Sequence, residues 1–228
     1  VALVGAFLLY MAILVHAVAV MRAVVEEKTS RMAEVLISAV RPFDLMMGKI
    51  VGVGAVGLTQ LGVWCGLAAG ALALRSASVP AAARLSEVAD AALVLGFTGF
   101  FVGGYLMYAA LYAAAGALCD SEDESQQAQL PVTLLLLVPV VWMNAVIANP
   151  DSAASTLGSL IPLFAPVLMF TRMVLVDVPF WQLLVAGGGV ALSVPLIAAL
   201  AGRVYRFGLL ADRRLSLARR LQSALFMR

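Results

Sequence analysis

Five long apolar stretches constrain what this chain can fold into. Residues 50–74, 91–118 and 180–202 contain no charged side chain, and residues 1–21 and 130–148 are similarly apolar. The hydrocarbon core of a bilayer is about 30 Å thick, and a helix of roughly 20 apolar residues crosses it. Because lipid cannot satisfy the polar groups of irregular backbone, each stretch is predicted to be a membrane-spanning helix.

The composition agrees with a membrane location. Hydrophobic residues make up 63% of the chain and charged residues 12%, whereas about 25% is typical of soluble domains. The two cysteines, Cys65 and Cys119, are far apart in sequence and suggest no disulfide framework. We therefore predict an all-α integral membrane protein.

One further uncharged region, residues 152–171, resembles a sixth span but does not qualify as one. Its apolar centre, residues 160–170, is short and contains Pro162 and Pro166. We predict a re-entrant or interfacial hairpin over about residues 158–173 on the outer side of the membrane, with Arg172 reaching water or lipid headgroups at its end.

The distribution of basic residues predicts the orientation. With residues 21–50 in the cytoplasm, that side carries twelve lysines and arginines and the other side only three, Arg75, Arg84 and Arg172. The positive-inside rule then places the N-terminus outside and the C-terminus inside, in a multi-pass protein of the inner (cytoplasmic) membrane. The basic tail, residues 203–228, is predicted to lie as an amphipathic helix on the inner leaflet.

The main charged interruption is residues 21–50. Met32, Val35, Leu36 and Ala39 have the spacing of one apolar helix face, which predicts an amphipathic helix over about residues 24–40. Such a helix can lie on the bilayer or contact a soluble partner, and a solvated, partly helical loop is the alternative. Pro42 ends the segment.

Several short motifs resemble those of type-2 ABC exporter permeases, in particular the NatB-like sodium-export permeases. In that family, residues 24–40 correspond to a cytoplasmic coupling helix that receives the movement of a separate ATPase subunit. The resemblance also implies two permease chains per transporter, and a further span and an outer domain preceding this chain. The motifs are Glu26-Glu27-Lys28-Thr29-Ser30-Arg31, Glu34-Val35-Leu36, Gly48-Lys49, Pro131-Val132, Ile161-Pro162, Ala165-Pro166 and Arg172.

The resemblance assigns candidate coupling residues. Glu26, Glu27, Arg31 and Glu34 are expected to face the ATPase subunit, and Lys49 to lie near the inner membrane surface. ATP and magnesium would bind to that partner and not to this chain. The sequence agrees, because Phe43 replaces the first glycine of a phosphate-binding loop that would end at Gly48-Lys49.

No catalytic or metal-binding motif stands out in the sequence, so we expect that the chain is not an enzyme. A single histidine, His16, cannot form a multi-histidine metal site. Within the spans, His16, Gln60, Tyr105 and Asn144 are candidates for lining a transport path. The alternative is that these side chains form hydrogen bonds between helices.

Two other patterns are open to more than one interpretation. Gly62, Gly66 and Gly70, and likewise Gly99 and Gly103, have the spacing of close helix packing, within one chain or between two. The acidic residues of segment 119–129 fit a solvated turn, a second contact with an ATPase subunit, or, less well, cation capture.

The leading hypothesis is therefore a permease subunit of an ATP-driven exporter, with Na⁺ or a drug-like or lipid-like solute as substrate. The alternatives are an ion-coupled secondary carrier and a membrane scaffold or sensor that transports nothing. The expected partners are an ATPase subunit, a second permease chain and the lipid membrane, and no nucleic acid.

Overall fold

A computed structural model describes residues 2–30, 39–76 and 91–210 of the chain. These residues form seven helices and no strand. The predicted basic tail beyond residue 210 lies outside the described residues. The helices are α1 (Ala2–Thr29), α2 (Pro42–Ser76), α3 (Ala91–Leu118), α4 (Glu122–Ala148), α5 (Ala153–Leu160), α6 (Ala165–Leu175) and α7 (Phe180–Leu210).

Five of these helices, α1, α2, α3, α4 and α7, are long and apolar enough to cross a membrane. The shortest of the five, α4, has 27 residues, more than the roughly 20 that the hydrocarbon core requires. The predicted all-α class with five spans is therefore confirmed.

The helices extend past the predicted ends of the spans into charged sequence. The first helix continues from residue 21 to Thr29, so residues 24–29 belong to α1 and do not begin a separate coupling helix. The second begins at Pro42 instead of residue 50. Charged residues mark where the hydrocarbon core of the bilayer ends and not where the helix ends. A helix satisfies the hydrogen bonds of its own backbone on either side of that boundary.

The acidic segment after Cys119 is largely helical, not a turn. Ser121 is the N-cap of α4, and its side chain accepts a hydrogen bond from the Glu124 backbone N–H at 3.2 Å. Glu122, Asp123 and Glu124 occupy the first turn, where carboxylates interact favourably with the helix dipole. The Ser-x-x-Glu spacing is a helix-start signal that the turn interpretation overlooked.

Helix α3 lies at the centre of the bundle and packs on all the other spans. Three of its tyrosines donate or share hydrogen bonds with different neighbours. The Tyr105 hydroxyl donates to the Ile50 carbonyl of α2 at 2.6 Å, the Tyr108 hydroxyl to the Leu163 carbonyl at 3.0 Å, and Tyr112 pairs with Thr133 of α4 at 2.7 Å. These bonds fix the position of α3 relative to its neighbours.

The glycine seams differ between α2 and α3. A Cβ at Gly103 would collide with Val190, so this part of α3 packs closely on α7 of the same chain. A Cβ at Gly62, Gly66 or Gly99 would meet no described atom within 4 Å. Of the two predicted glycine patterns, that of α3 therefore serves in part, at Gly103, for close helix packing within the chain.

Helices α5 and α6, with 8 and 11 residues, occupy the predicted re-entrant region and are too short to cross a bilayer. Residues 165–172 of α6 are all buried. Phe170 of α6 approaches Gly5, near the start of α1, so this helix lies at the end of α1 opposite to Thr29. The re-entrant arrangement relative to the membrane remains a prediction.

Arg172 does not reach water, contrary to the sequence expectation, and is only 1% exposed. Its guanidinium donates to the Pro150 carbonyl at 2.9 Å, to Ser159 Oγ at 3.0 Å and to Gln182 Oε1 at 2.7 Å. Burial lowers the pKa of Arg172, and Asp151, at 3.9 Å, counteracts that shift. The side chain thus links α5, α6 and the start of α7 to the segment that follows α4.

Replacing Arg172 by Met should lower the free energy of unfolding by about 2–4 kcal/mol, because several buried acceptors lose their donor. The measurement is reversible unfolding of the purified protein in mixed detergent micelles. Arg206→Met, at an exposed position of α7, is the control and should change stability little. Equal stability of the two variants would contradict the linking role of Arg172.

Candidate functional site at the charged helix ends

Two consecutive residues in the last turn of α1 form ion pairs with two different partners. Glu27 Oε2 lies 2.6 Å from Lys49 Nζ of α2, and Lys28 Nζ lies 2.9 Å from Asp120 Oδ1 in the α3–α4 connection. We call these four residues the charged junction. Consecutive residues of a helix point about 100° apart, because the helix has 3.6 residues per turn, and so the two side chains reach separate neighbours.

Both lysines also donate to backbone carbonyls. Lys28 Nζ donates to the Ala117 carbonyl at 2.7 Å, and Lys49 Nζ donates to the Ala23 carbonyl at 3.1 Å. Ala117 lies in the last turn of α3, where carbonyls lack helical partners and a positive charge is favoured. Lys28 therefore neutralises an acid and caps a helix end at once.

The junction is largely shielded from solvent. The side chains of Lys28 and Asp120 are 9% and 16% exposed, and those of Lys49 and Glu27 are 11% and 28% exposed. By contrast, Arg41 and Asp44 form a looser pair at 3.5 Å with exposures of 90% and 55%. An exposed pair of that kind contributes little, whereas loss of one partner of a shielded pair is costly.

The structure joins two of the five candidate coupling residues, Glu27 and Lys49. Glu26 is exposed beside them in α1, and Arg31 and Glu34 lie outside the described residues, as does most of the predicted coupling helix. Sequence reasoning did not assign Lys28 and Asp120 to the site. Lys28 belongs to the recognised Glu-Glu-Lys motif, but its partner is 92 positions away and no local pattern connects them.

The four candidate path residues fall at three places. His16 and Gln60 line one groove between α1, α2 and α3. Tyr105 is buried and bonded to α2, which favours a role between helices. Asn144 is exposed on α4, away from that groove. Among the described residues, no group of three or more histidine, cysteine or acidic side chains is placed to hold a metal ion.

These features define a multi-pass helical membrane protein whose spans are joined by shielded ion pairs at one end. A family model described as "ABC-2 family transporter protein" matches residues 1–203. The chain therefore belongs to the ABC-2 family of transporter proteins. The predicted permease class is confirmed at this level.

Two relatives extend the comparison. The chain is 34% identical over 211 residues to "Uncharacterized protein YhaP" of Bacillus subtilis, a match that covers 90% of this chain and 50% of the relative. It is 28% identical over 204 residues to "Uncharacterized protein MJ1024" of Methanocaldococcus jannaschii, covering 90% and 48%. The chain thus spans about half the length of the relatives it matches. No solved structure matches it.

A double-mutant cycle on Lys28 and Asp120 tests the junction. Each single change to Ala should lower the free energy of unfolding by about 2 kcal/mol, because one shielded charge loses its partner. The double variant should lose clearly less than the sum, since the two residues interact. The measurement is reversible unfolding in mixed micelles.

The matched control for this cycle is Arg41 and Asp44, an exposed pair close to the same end of the bundle. Its two Ala variants should cost little and be additive. Additive losses for Lys28 and Asp120 would show that their contact contributes nothing to the packing of the helix ends.

Proposed function

We propose that this chain is the permease half of an ABC exporter, and that the charged end of α1 receives the movement of a separate ATPase subunit. The observation that carries the proposal is the charged junction. Through Glu27 and Lys28, one helix end is joined to α2 and to the connection between α3 and α4. A force on the end of α1 would therefore act on four spans.

Exposed polar groups beside the junction support a docking role for this end. Glu26 lies in the last turn of α1 and is exposed, while its neighbours Glu27 and Lys28 turn towards the bundle. Within one helical turn, therefore, Glu26 is exposed for contact with a partner, whereas Glu27 and Lys28 form the ion pairs that join the spans. In this proposal, Arg31 and Glu34 extend the ATPase-facing surface along the segment that joins α1 to α2.

The proposed assembly contains two permease chains and one or more ATPase subunits in the inner membrane. The charged junction lies on the cytoplasmic side in this arrangement, as the positive-inside rule predicts. ATP and magnesium bind to the ATPase subunit.

A drug-like or lipid-like solute fits the spans better than Na⁺, which the NatB-like resemblance suggests. Among the described residues, acidic side chains occur only at helix ends and in connections. Sodium ions are held by oxygen ligands, and a carboxylate among them would also balance the charge of the ion, but none of these acids lies in the middle of a span. We therefore propose a drug-like or lipid-like solute as the substrate, with Na⁺ as the alternative.

The function is tested on full-length protein purified from native membranes in mild detergent. An ATPase subunit should co-purify, and its ATP hydrolysis should depend on the permease. Glu27→Ala should reduce permease-dependent hydrolysis and transport about tenfold without preventing membrane insertion, because loss of roughly 1–2 kcal/mol of junction contact uncouples α1 from α2.

The charge-reversed pair Glu27→Lys with Lys49→Glu separates two roles of Glu27. If Glu27 acts through Lys49, the reversed pair should recover most of the coupling. If Glu27 touches the ATPase directly, the reversed pair should remain as impaired as Glu27→Ala. Transport that continues without ATP but stops when an ion gradient is removed would instead identify a secondary carrier, and purified protein that moves no solute would identify a scaffold or sensor.

A further inference from the structure

A groove of about 550 Å³ lies between α1, α2 and α3, within the usual size range of ligand pockets. Its walls are mainly apolar, and the polar side chains of His16 and Gln60 also line it. The apolar lining residues include Leu8, Met11, Trp64 and Phe97.

His16 is 92% buried, being 8% exposed, and lines this groove. Its Nδ1 lies 2.7 Å from the Ala12 carbonyl oxygen. A carbonyl can only accept, so Nδ1 carries the hydrogen, and in the neutral ring Nε2 is then an acceptor. Nε2 has no hydrogen-bond partner in the described part of the chain.

The described side chains around His16 hold its imidazole ring in place but donate no hydrogen bond to Nε2. Phe101 and Tyr105 meet the ring edge-on, at centroid distances of 6.1 and 6.5 Å. The Tyr105 hydroxyl is already committed to Ile50. Gly57 of α2 allows the ring to approach, since a Cβ there would lie 2.8 Å from His16 Cδ2 and 3.0 Å from Nε2. The acceptor thus faces α2, one turn from Gln60.

Lipid tails alone would leave this acceptor unsatisfied. An acyl chain can fill an apolar groove, but an acceptor that loses water and gains no donor costs about 1–3 kcal/mol. A molecule that combines an apolar body with one hydroxyl or N–H group avoids that cost. Among the described residues, none that lines the groove is acidic, lysine or arginine, so the site suits a neutral ligand better than an ion.

We propose that this groove binds a neutral amphipathic solute whose apolar or aromatic body lies against Trp64 and Phe97 and whose hydroxyl or N–H group donates to His16 Nε2. Gln60 lies on the same groove and supplies an amide for the polar end of the ligand. The inference that this ligand is a transported substrate rests on the proposed export function. The binding itself can be tested without any ATPase subunit.

The test uses 4-bromophenol and 4-bromoanisole, a pair in which one added methyl group replaces the hydroxyl hydrogen and so removes the hydrogen-bond donor. Bromine quenches tryptophan fluorescence at contact, and Trp64 lies on the groove. The full chain contains three tryptophans. Trp142→Phe with Trp181→Phe leaves Trp64 as the reporter, in protein reconstituted into lipid nanodiscs.

The expected result is saturable quenching of Trp64 by 4-bromophenol, at about fivefold lower concentration than by 4-bromoanisole, as one hydrogen bond of about 1 kcal/mol would give. A second reporter protein keeps only Trp181, which is exposed at the start of α7 and outside the groove. Its quenching should be non-saturable and alike for both probes, because it reports partition into lipid.

Variants of His16 and Gln60 test whether these two side chains cause the preference for 4-bromophenol. His16→Phe should abolish the preference for 4-bromophenol. Gln60→Leu, at an exposed position that packing does not depend on, should weaken 4-bromophenol binding by a few-fold. Asn144→Leu, an exposed polar position in a span away from the groove, is the matched control and should change neither probe.

Equal quenching by both probes, or quenching of Trp64 that does not saturate, would overturn the proposal and indicate a groove filled by lipid or covered by another helix. A preference for 4-bromophenol that survives in His16→Phe would also overturn it, whatever the result with Gln60→Leu. None of these results depends on ATP, so failure of the ligand site is distinguishable from failure of the coupling proposal.

Discussion

The two ion pairs on consecutive residues of α1 determine how the ends of the spans are arranged. In lipid, helices gain little from burying apolar surface against one another, so packing and polar contacts set their relative positions. Glu27 and Lys28 provide such contacts to α2 and to the α3–α4 connection. Each lysine of the junction also donates to a backbone carbonyl. The end of α1 is therefore held from two directions, and its displacement would be shared by its neighbours.

A second polar anchor stands at the other end of the bundle. Arg172 links the short helices to α7 through neutral acceptors, and Tyr108 ties the middle of α3 to the connection between those short helices. Between the two anchors the packing is mainly apolar apart from the hydrogen bonds of Tyr105 and Tyr112, and the groove that contains His16 lies in this region. Polar contacts therefore set the relative positions of the helices at both ends of the bundle.

Much of the fold followed from the lengths of the apolar runs, because each run had to be a helix in lipid. The helix ends did not follow, since charged turns such as that of Lys28 continue a helix beyond the hydrocarbon. The start of α4 was readable from the Ser121-to-Glu124 capping spacing. The partner of Lys28 and the burial of Arg172 were not readable, because both depend on how distant helices meet. For the same reason, the sequence named His16 and Gln60 but could not show that they share a groove.

In the proposed function, the end of α1 and the start of α4 move together when the ATPase subunit acts on this chain. Spin labels at Thr29 and Asp123, two exposed positions on either side of the Lys28–Asp120 pair, would report their separation in the assembled transporter. If the two helix ends move together, the distance distribution should be the same without nucleotide and with ATP trapped on the ATPase subunit. Replacing Lys28 and Asp120 by Ala should give a new distance between the two positions. A change in the unmodified junction on ATP binding would contradict the claim, because the ion pair would then open during the stroke instead of transmitting it.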